Sequence, residues 1–484
     1  MKFRASYVRE QQRYTKKDLQ KLFAFTPAEN EGFIRLLKSY GILKAVKNSP
    51  RQADLTELAD ADLEYVDVSA EDGACRYVFT YVGVIIAGSR VIKCCPKYLT
   101  LTGEPVSEMK QVLQVLQKYA SKEQIVNLYD GSDQAAGFNL LAVMLFLLMD
   151  YHENGLYTNP EEIVERNGEG EILWEKTVNE GFPIIRGGKP YYTEYFTRKT
   201  ADDMTDYFLR LHRCVVSECS RQLEDADLLS LFGLPDANLC NDPLSGFGET
   251  DYILYRLQNE LNVQFNTRKQ LLLKTLYAYI ANQQTLSHSG GISMYGTTAF
   301  HLVWEDVCAS VFSNHLQTPL GQLPVALAEG YDKHARLITL IEAPKWIGAD
   351  PDGRRFIKTA SDTLIPDIIH VTADCFTILD AKYYCPQIEK DKPLRGQPGV
   401  GDIVKQYPYQ LAFGGFIKDH KIGRVKNCFV LPAESDRVIS LGKAAMDILS
   451  SIPLQDIQVR KVPAPVLFDR YLQNATLDVS YLEI

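Results

Sequence analysis

The stretch LIPDIIHVTADCFTILDAKYY, residues 364–384, determines the fold of the last third of the chain. DIIHV and CFTILDAKYY are rich in β-branched and aromatic residues, and the polar TAD between them is turn-like, so the stretch predicts a β-hairpin. With the turn centred between Ala373 and Asp374, paired residue numbers sum to 747 and Asp367 faces Asp380. Directly opposed residues share a face of the sheet, with Cβ atoms about 4.5–5.5 Å apart. The sequence therefore predicts two converging carboxylates, unless an odd loop length shifts one of them.

Lys382 follows Asp380 by two positions, and the strand period of two places both on one face. Two carboxylates this close repel each other unless a cation lies between them. Oxygen ligands suit Mg²⁺, which takes one or two carboxylates together with waters and a phosphate oxygen. Beside such an ion, Lys382 would orient or deprotonate an attacking water, or stabilise charge on a phosphate. The sequence thus predicts phosphodiester chemistry, with Asp367 and Asp380 as metal ligands.

The alternative is an exposed hairpin with an ordinary Asp–Lys ion pair. Its apolar residues favour a buried hairpin instead, and polar groups at a buried end need a reason to be there. The residues expected in the core are Ile365, Ile368, Ile369, Phe376, Ile378 and Leu379.

An amphipathic segment upstream, AFHLVWEDVCASVF at residues 299–312, supplies a third acid. It predicts a helix with Val303, Val307 and Val311 on one stripe and Glu305 on a different face. Glu305 is the candidate third metal ligand, with Asp306 as second choice. A solvated acid is the alternative for either residue.

A second segment, GDIVKQYPYQLAFGGF at residues 401–416, follows the hairpin. Asp402 and Gln406 are four residues apart and share one face if the segment is helical. Gln406 and Tyr409 are candidates to line the site and contact a scissile strand, and packing on a surface helix is the alternative. Pro408 complicates a continuous helix and is expected to kink it.

The rest of the chain predicts a multidomain α+β protein. Residues 1–105 read as two short helices followed by β-prone segments, a winged-helix-like pattern with a small antiparallel sheet at 62–98. Residues 106–285 are predicted to be mainly helical, with a buried segment at 139–150, and to serve for partner docking. Residues 286–484 are predicted to form the third, α/β domain.

Composition excludes several classes of protein. Hydrophobic residues make up 46% and charged residues 23%, which is typical of globular domains. The longest apolar run, at residues 140–149, is about half of a bilayer span. The beginning of the chain lacks an apolar signal region, and the ten cysteines include no C-x-x-C pair. We therefore expect a cytoplasmic protein with reduced thiols and no membrane partner.

Charge is distributed unevenly. The net charge is −9, yet residues 1–51 carry twelve Lys/Arg against four Asp/Glu, which leaves −17 for the remainder. Such a basic end supplies sequence-independent attraction to phosphates, and a solvated helical surface is the alternative. Further basic residues flank the hairpin: Arg354, Arg355, Lys358, Lys390, Lys392 and Arg395.

Several stretches resemble a known family. Glu305, Asp367, Asp380 with Lys382, and residues 402–409 resemble the PD-(D/E)xK nuclease domain of McrC-like restriction subunits. Residues 77–99 (YVFTYVGVIIAG to VIKCCPKYL), 167–192 (from NGEGEILWEKTVNEGFPII) and 206–216 (DYFLRLHRCVV) resemble the LlaJI family of restriction endonuclease subunits. One departure is Asp380, where many nucleases of this class have Glu, which shortens the reach to a metal.

The resemblance implies an Mg²⁺-dependent endonuclease subunit that cleaves double-stranded DNA. It also implies a separate McrB-like AAA+ GTPase, so that GTP is used only through the partner. The sequence has no G-x-x-x-x-G-K-[ST] phosphate loop, which agrees with that division. One alternative is a non-catalytic DNA-binding or adaptor subunit with a nuclease-like fold. Another is a nuclease that acts on RNA or recombination intermediates without a motor.

Overall fold

The computed structural model describes residues 3–47, 75–100, 103–123, 139–202, 205–282, 292–386, 396–449 and 451–484, with positions 388, 390, 391 and 394. The fold is mixed α/β with several separate sheets. The strands are β1 (Arg4–Arg9), β2 (Arg13–Tyr14), β3 (Leu43–Lys47), β4 (Cys75–Phe79), β5 (Val82–Ala87), β6 (Arg90–Cys95), β7 (Pro160–Arg166), β8 (Glu171–Ile172), β9 (Ile184–Arg186), β10 (Lys189–Tyr191), β11 (Phe196–Asp202), β12 (Ile292–Thr297), β13 (Lys345–Ala349), β14 (Arg355–Thr359), β15 (Ile368–Val371), β16 (Cys375–Ala381), β17 (Arg424–Ala433), β18 (Ile439–Ala444) and β19 (Ile457–Pro463). The helices are α1 (Lys16–Phe23), α2 (Pro27–Ser39), α3 (Val106–Glu123), α4 (Leu140–Asn154), α5 (Trp174–Glu180), α6 (Tyr207–Asp225), α7 (Leu229–Phe232), α8 (Thr250–Val263), α9 (Thr267–Asn282), α10 (Phe300–Val311), α11 (Val400–Ala412), α12 (Gly414–Asp419) and α13 (Ala464–Leu472).

The chain divides into two compact units. The middle unit contains residues 135–293 with 1–3 and 86–89, and the terminal unit contains 4–85, 90–134 and 294–484. Compactness does not test independent folding, so the predicted domains 1–105, 106–285 and 286–484 stay a prediction.

The terminal unit is built on a five-stranded sheet of order β15-β16-β17-β19-β18. β16, β17 and β19 run parallel, and the outer strands β15 and β18 are antiparallel to their neighbours. β16 is buried along its whole length, and α10 and α11 both contact it. Parallel strands covered by helices bury both faces, so the carboxyl end of β16 is where its polar residues can be reached.

The hairpin predicted from residues 364–384 is confirmed as β15 and β16. Five of the six expected core residues are fully buried: Ile368, Ile369, Phe376, Ile378 and Leu379. The sixth assignment was wrong, because Ile365 is 59% exposed. Ile365 precedes β15, so the sheet does not cover its side chain.

Both helices predicted near the amino terminus are confirmed as α1 and α2. Each begins with a capping box, formed by Thr15 with Asp18 and by Thr26 with Glu29. They are followed by β3, which pairs antiparallel with β4 in the sheet β2-β4-β3.

The single antiparallel sheet expected at residues 62–98 is wrong in part. β4 joins the sheet just described, whereas β5 and β6 belong to another of order β1-β6-β5-β12, in which β1 pairs parallel with β6. Residues 62–74 of that stretch lie outside the described residues. Periodicity predicts strands but does not choose their partners, which explains the error.

The middle unit combines helices with small exposed sheets. The predicted buried segment is α4, and α4 packs against α6 and α9. The Gly-rich interruption at residues 167–192 forms α5 and the short strands β8, β9 and β10. Across the described ranges of the chain, no helix is both long and apolar enough to cross a bilayer.

Candidate functional site

The hairpin places two carboxylates at one end of the sheet. Paired residues are Ile368 with Leu379 and Val371 with Phe376, so the predicted sum of 747 is confirmed. One step beyond the Ile368–Leu379 pair, this register sets Asp367 opposite Asp380, and the Ala381 N–H donates to Asp367 Oδ2 at 2.9 Å. Two carboxylates therefore converge at the carboxyl end of β16.

Asn314 fixes the position of Asp367. Its Nδ2 donates to the Asp367 carbonyl at 2.7 Å, and its Oδ1 accepts from the Ile369 N–H at 3.1 Å. The neighbouring His315 N–H donates to the Ile369 carbonyl at 2.7 Å. β15 is an edge strand, and these bonds satisfy backbone groups that would otherwise lack a partner. Sequence reasoning missed Asn314, because its contact with β15 spans fifty-three positions of chain.

Lys382 faces the acids as predicted. Its Nζ lies 2.9 Å from Asp380 Oδ2 and 3.4 Å from Asp402 Oδ1. Its backbone N–H donates to the Val430 carbonyl at 3.0 Å, and Trp304 Nε1 donates to the same oxygen at 3.1 Å. Val430 on β17 therefore ties both the lysine and helix α10 to the sheet.

Helix α10 carries Glu305 at the same site. The predicted stripe of Val303, Val307 and Val311 is fully buried, which confirms the helix and its apolar face. Burial raises the pKa of Glu305, the ammonium of Lys382 lowers it, and the carboxylate of Asp380 raises it. The second choice, Asp306, instead accepts a hydrogen bond from Tyr471 Oη. Of the two acids, the structure brings Glu305 into the field of Lys382.

Helix α11 contributes Asp402, Gln406 and Tyr409. Gln406 is fully buried, and neither Oε1 nor Nε2 has a hydrogen-bond partner among the described residues. The Tyr409 hydroxyl donates to the Ile365 carbonyl at 3.0 Å. Burial raises the pKa of Tyr409 to about 12, and the nearby acids add to the rise. The helix is continuous through Pro408.

The electrostatics of the site are dominated by burial and crowded acids. Burial raises the pKa of Asp380 to about 7, and the carboxylate of Asp367 adds to the rise while Lys382 opposes it. Burial also raises the pKa of Asp367. For Lys382, burial lowers the pKa, but Asp380, Asp402 and Asp367 outweigh it and hold the net value above the ordinary range. The site therefore favours a protonated lysine and disfavours two ionised acids without a further cation.

The donor set suits a hard divalent cation. The oxygens of Asp367, Asp380 and Glu305 are the ligand type that Mg²⁺ prefers, and a cation would relieve the repulsion between two buried carboxylates. The unpartnered amide of Gln406 offers further polar atoms nearby. Within the described ranges, however, no three His, Cys, Asp or Glu side chains stand arranged to hold a metal. The residue types therefore fit Mg²⁺, but their side chains are not arranged as a three-ligand metal site.

A sequence model of the LlaJI restriction endonuclease family matches residues 81–468, which is most of the chain. The chain belongs to the LlaJI restriction endonuclease family. The Type II restriction enzyme BsuMI component YdjA of Bacillus subtilis (strain 168) is 27% identical over 428 residues, covering 85% of this chain and 84% of that protein. This family membership places the chain among the nucleases and makes it a subunit of a restriction system.

Solved structures give more distant likenesses. A Thermococcus gammatolerans half-complex of McrB AAA+ hexamers with bound McrC has a TM-score of 0.36 at 12% identity, covering 97% of this chain and 100% of that chain. The McrBC complex of the same organism has a TM-score of 0.23 at 13% identity, covering 62% and 85%. At these scores neither likeness supports a structural argument.

The LlaJI family match includes every candidate site residue and also Lys97, which sequence reasoning did not assign. Lys97 and Lys382 line one cavity of about 310 Å³ in the terminal unit. The sequence signal that could have drawn attention to Lys97 is its place in the LlaJI-like stretch at 77–99. The role of Lys97 cannot be deduced from that stretch alone, because Lys97 contacts Tyr383, which is 286 positions away in the sequence.

β5 and β12 shape the surroundings of this cavity through two glycines. A Cβ added at Gly83 would lie 2.2 Å from the Tyr295 carbonyl oxygen, and one at Gly296 would lie 2.1 Å from the Val82 oxygen. This close approach brings the residues just before β5 and just after β12 to a common region of the sheet. Thr80, Thr298 and His301 accordingly line the same cavity.

The basic residues expected to attract a polyanion are only partly described. Arg355 and Lys358 lie on β14 of the exposed β13–β14 hairpin, and Arg354 lies in the turn just before β14. Lys390 is exposed as well. Lys392 and Arg395 lie outside the described residues.

Proposed function

We propose that the chain is an Mg²⁺-dependent endonuclease subunit of a restriction system, with a PD-(D/E)xK site that cleaves double-stranded DNA. The observation that carries the proposal is the register of β15 and β16. It sets Asp367 opposite Asp380, with the ammonium of Lys382 at 2.9 Å from Asp380. A structural ion pair would not need a second buried carboxylate beside the first.

The residues divide the chemistry among them. Asp367, Asp380 and Glu305 would hold Mg²⁺, which when bound supplies Lewis-acid stabilisation and lowers the pKa of a coordinated water. Lys382, with Nζ at 2.9 Å from Asp380 Oδ2, would orient or deprotonate the attacking water, or stabilise charge on a phosphate oxygen. Gln406, whose buried amide has no partner among the described residues, would hydrogen-bond the attacking water.

We propose that a separate McrB-like AAA+ GTPase works with this subunit. The support is the resemblance of the sequence to McrC-like subunits and its lack of a phosphate-binding loop. GTP would then be used only by the partner. The winged-helix-like segment of α1, α2, β3 and β4 would contribute basic DNA contacts. Such a complex would act on DNA in the cytoplasm.

Plasmid cleavage tests the proposal. The purified chain is incubated with Mg²⁺, with and without a candidate McrB-like AAA+ GTPase and GTP, and with Asp380→Ala as the inactive control. Cutting that needs the partner, GTP and an intact Asp380 is the expected result. Cutting without the partner would keep the nuclease and discard the motor. No cutting of DNA known to be susceptible would favour the non-catalytic adaptor, and wild-type cutting by Asp380→Ala would remove the assigned site.

A further inference from the structure

A buried lysine stands in the wall of the cavity that contains Lys382. Lys97 is only 7% exposed, yet it lines this space of about 310 Å³ together with Glu305 and Lys382. The chain segment that carries it is far from the hairpin in sequence, and neither the hairpin nor the flanking helices predict it. A buried ammonium is costly unless an anion or several acceptors compensate it.

Its contacts hold Lys97 in place but do not neutralise it. Nζ donates to Gln11 Oε1 at 3.3 Å and lies 4.4 Å from the centre of the Tyr383 ring and 5.7 Å from that of Tyr384. Among the described residues, no carboxylate forms an ion pair with it. Aromatic faces attract a cation by about 0.5–2 kcal/mol, less than the cost of burying a charge. Lys97 therefore lacks an anionic partner among the described residues, and the cavity is the space from which one could be supplied.

Among the described residues two acids line this cavity, Glu305 and Glu10, and Glu10 is held by the Tyr383 hydroxyl and the Lys97 backbone. Glu10 Oε2 accepts from the Tyr383 hydroxyl at 2.5 Å and from the Lys97 backbone N–H at 3.3 Å. The Tyr383 hydroxyl also accepts from that N–H at 3.0 Å. These bonds fix the backbone of Lys97 to the strand end that carries Lys382. The backbone positions of Lys97 and Lys382 are therefore set relative to each other by the fold and not by a flexible loop.

We propose that Lys97 binds a non-bridging phosphate oxygen of the DNA strand next to the scissile phosphate, which makes the cavity a second phosphate subsite. Two lysines that line one cavity suit a backbone that carries a negative charge at every nucleotide. A lysine serves as a point charge for phosphate without reading the base. The inference rests on the proposed nuclease function and adds the position of the neighbouring phosphate.

The test measures DNA binding rather than cutting. A short fluorescein-labelled DNA duplex is titrated with the full chain at several KCl concentrations, without divalent metal, and fluorescence anisotropy gives the dissociation constant. Losing one phosphate contact lowers the slope of log affinity against log salt by about 0.9. Lys97→Met should show that change, with affinity about tenfold weaker at low salt. Lys443→Met, an exposed lysine paired with Asp456, is the matched control and should keep the wild-type slope.

Two further variants protect the test against misfolding. Lys97→Arg keeps the charge and should retain the slope. Gln11→Glu leaves Lys97 in place but gives it a carboxylate partner, so it should reduce the slope as Lys97→Met does. An unchanged slope in Gln11→Glu and in folded Lys97→Met would overturn the subsite. If wild type does not cut plasmid while Lys97→Met still loses the slope, the nuclease proposal fails and the phosphate contact stands.

Discussion

Both units bury charged side chains, but they balance them differently. In the middle unit, Arg268 forms a two-pronged ion pair with Asp150, from Nε at 2.9 Å and from Nη2 at 2.7 Å. In the terminal unit, Asp367 and Asp380 lie side by side, and Lys382 is shared with a further acid. One cation meets one carboxylate in the first case, and several carboxylates compete for one cation in the second.

This difference separates a structural from a functional use of buried charge. A matched pair with saturated hydrogen bonds needs nothing from outside, and its removal costs folding free energy. A cluster with excess acid is unfavourable by itself and is stabilised by a cation or a proton. Perturbed carboxylates of this second type are typical of catalytic sites.

The largest expected effect is on catalysis at the unbalanced cluster. Asp380→Asn keeps the shape of the side chain but removes a carboxylate that would bind metal. Because metal assistance is worth several kcal/mol, the rate of plasmid cutting should fall by about a thousandfold. Asp374→Asn, at the exposed turn of the same hairpin and paired with Arg424, is the matched control and should cut at the wild-type rate. Equal loss in both variants would point to a damaged hairpin instead of a lost ligand.

The balanced pair should respond in stability. Asp150→Asn leaves Arg268 without its carboxylate and should lower the free energy of unfolding by about 3 kcal/mol. Urea denaturation followed by fluorescence measures the loss. Glu342→Gln removes an exposed partner of Lys345 and should cost less than about 0.5 kcal/mol. Asp380→Asn should not destabilise the chain, since it relieves repulsion, and a loss as large as that of Asp150→Asn would erase the distinction between the clusters.

The sequence predicted the hairpin side of the site because its information is local. A turn residue and strand alternation set the register that pairs Asp367 with Asp380, and helical periodicity placed Glu305 away from the buried valine stripe. Asn314 and Lys97 were missed because their roles depend on contacts between distant segments. The spacing of residues within one segment carries no information about its contacts with a distant segment.

Removal of residues 1–51 is a poor test of DNA binding by the basic end. β1 pairs along its whole length with β6, and Glu10 and Gln11 belong to the wall that holds Lys97. Deleting them would disturb a sheet and a cavity together with the charge. Charge distribution alone could not show this, because a basic composition does not reveal which residues also pair in a sheet.

The balance in the middle unit also depends on a buried neutral histidine. His212 Nδ1 accepts from the Tyr157 N–H at 3.0 Å, and burial lowers the pKa of His212 from 6.5 to about 4, although Asp150 opposes the shift. The unfolded chain therefore binds the proton at higher pH, and stability is lost as the pH falls from 6.5 toward 4. Between about pH 7 and about pH 5 the loss should be about 2 kcal/mol.

Urea denaturation at both pH values measures this loss. His212→Asn keeps an acceptor near the position of Nδ1 and should remove that part of the pH dependence. His152→Asn, on the exposed side of α4, should retain it. An unchanged pH dependence in His212→Asn would assign the acid sensitivity to other groups.

The smallest effect bears most directly on the excess of acid at the hairpin. A cation that binds the folded chain should stabilise it by about 1.4 kcal/mol at ten times the dissociation constant. Added Mg²⁺ should therefore raise the melting temperature of the wild type and of Asp150→Asn by a similar amount. Without Mg²⁺, Asp150→Asn has the lower melting temperature of the two. Asp380→Asn should lose most of the rise, because it removes one of the two opposed carboxylates. An equal rise in Asp380→Asn would mean that the ion binds elsewhere, and the cluster would then be balanced by protons.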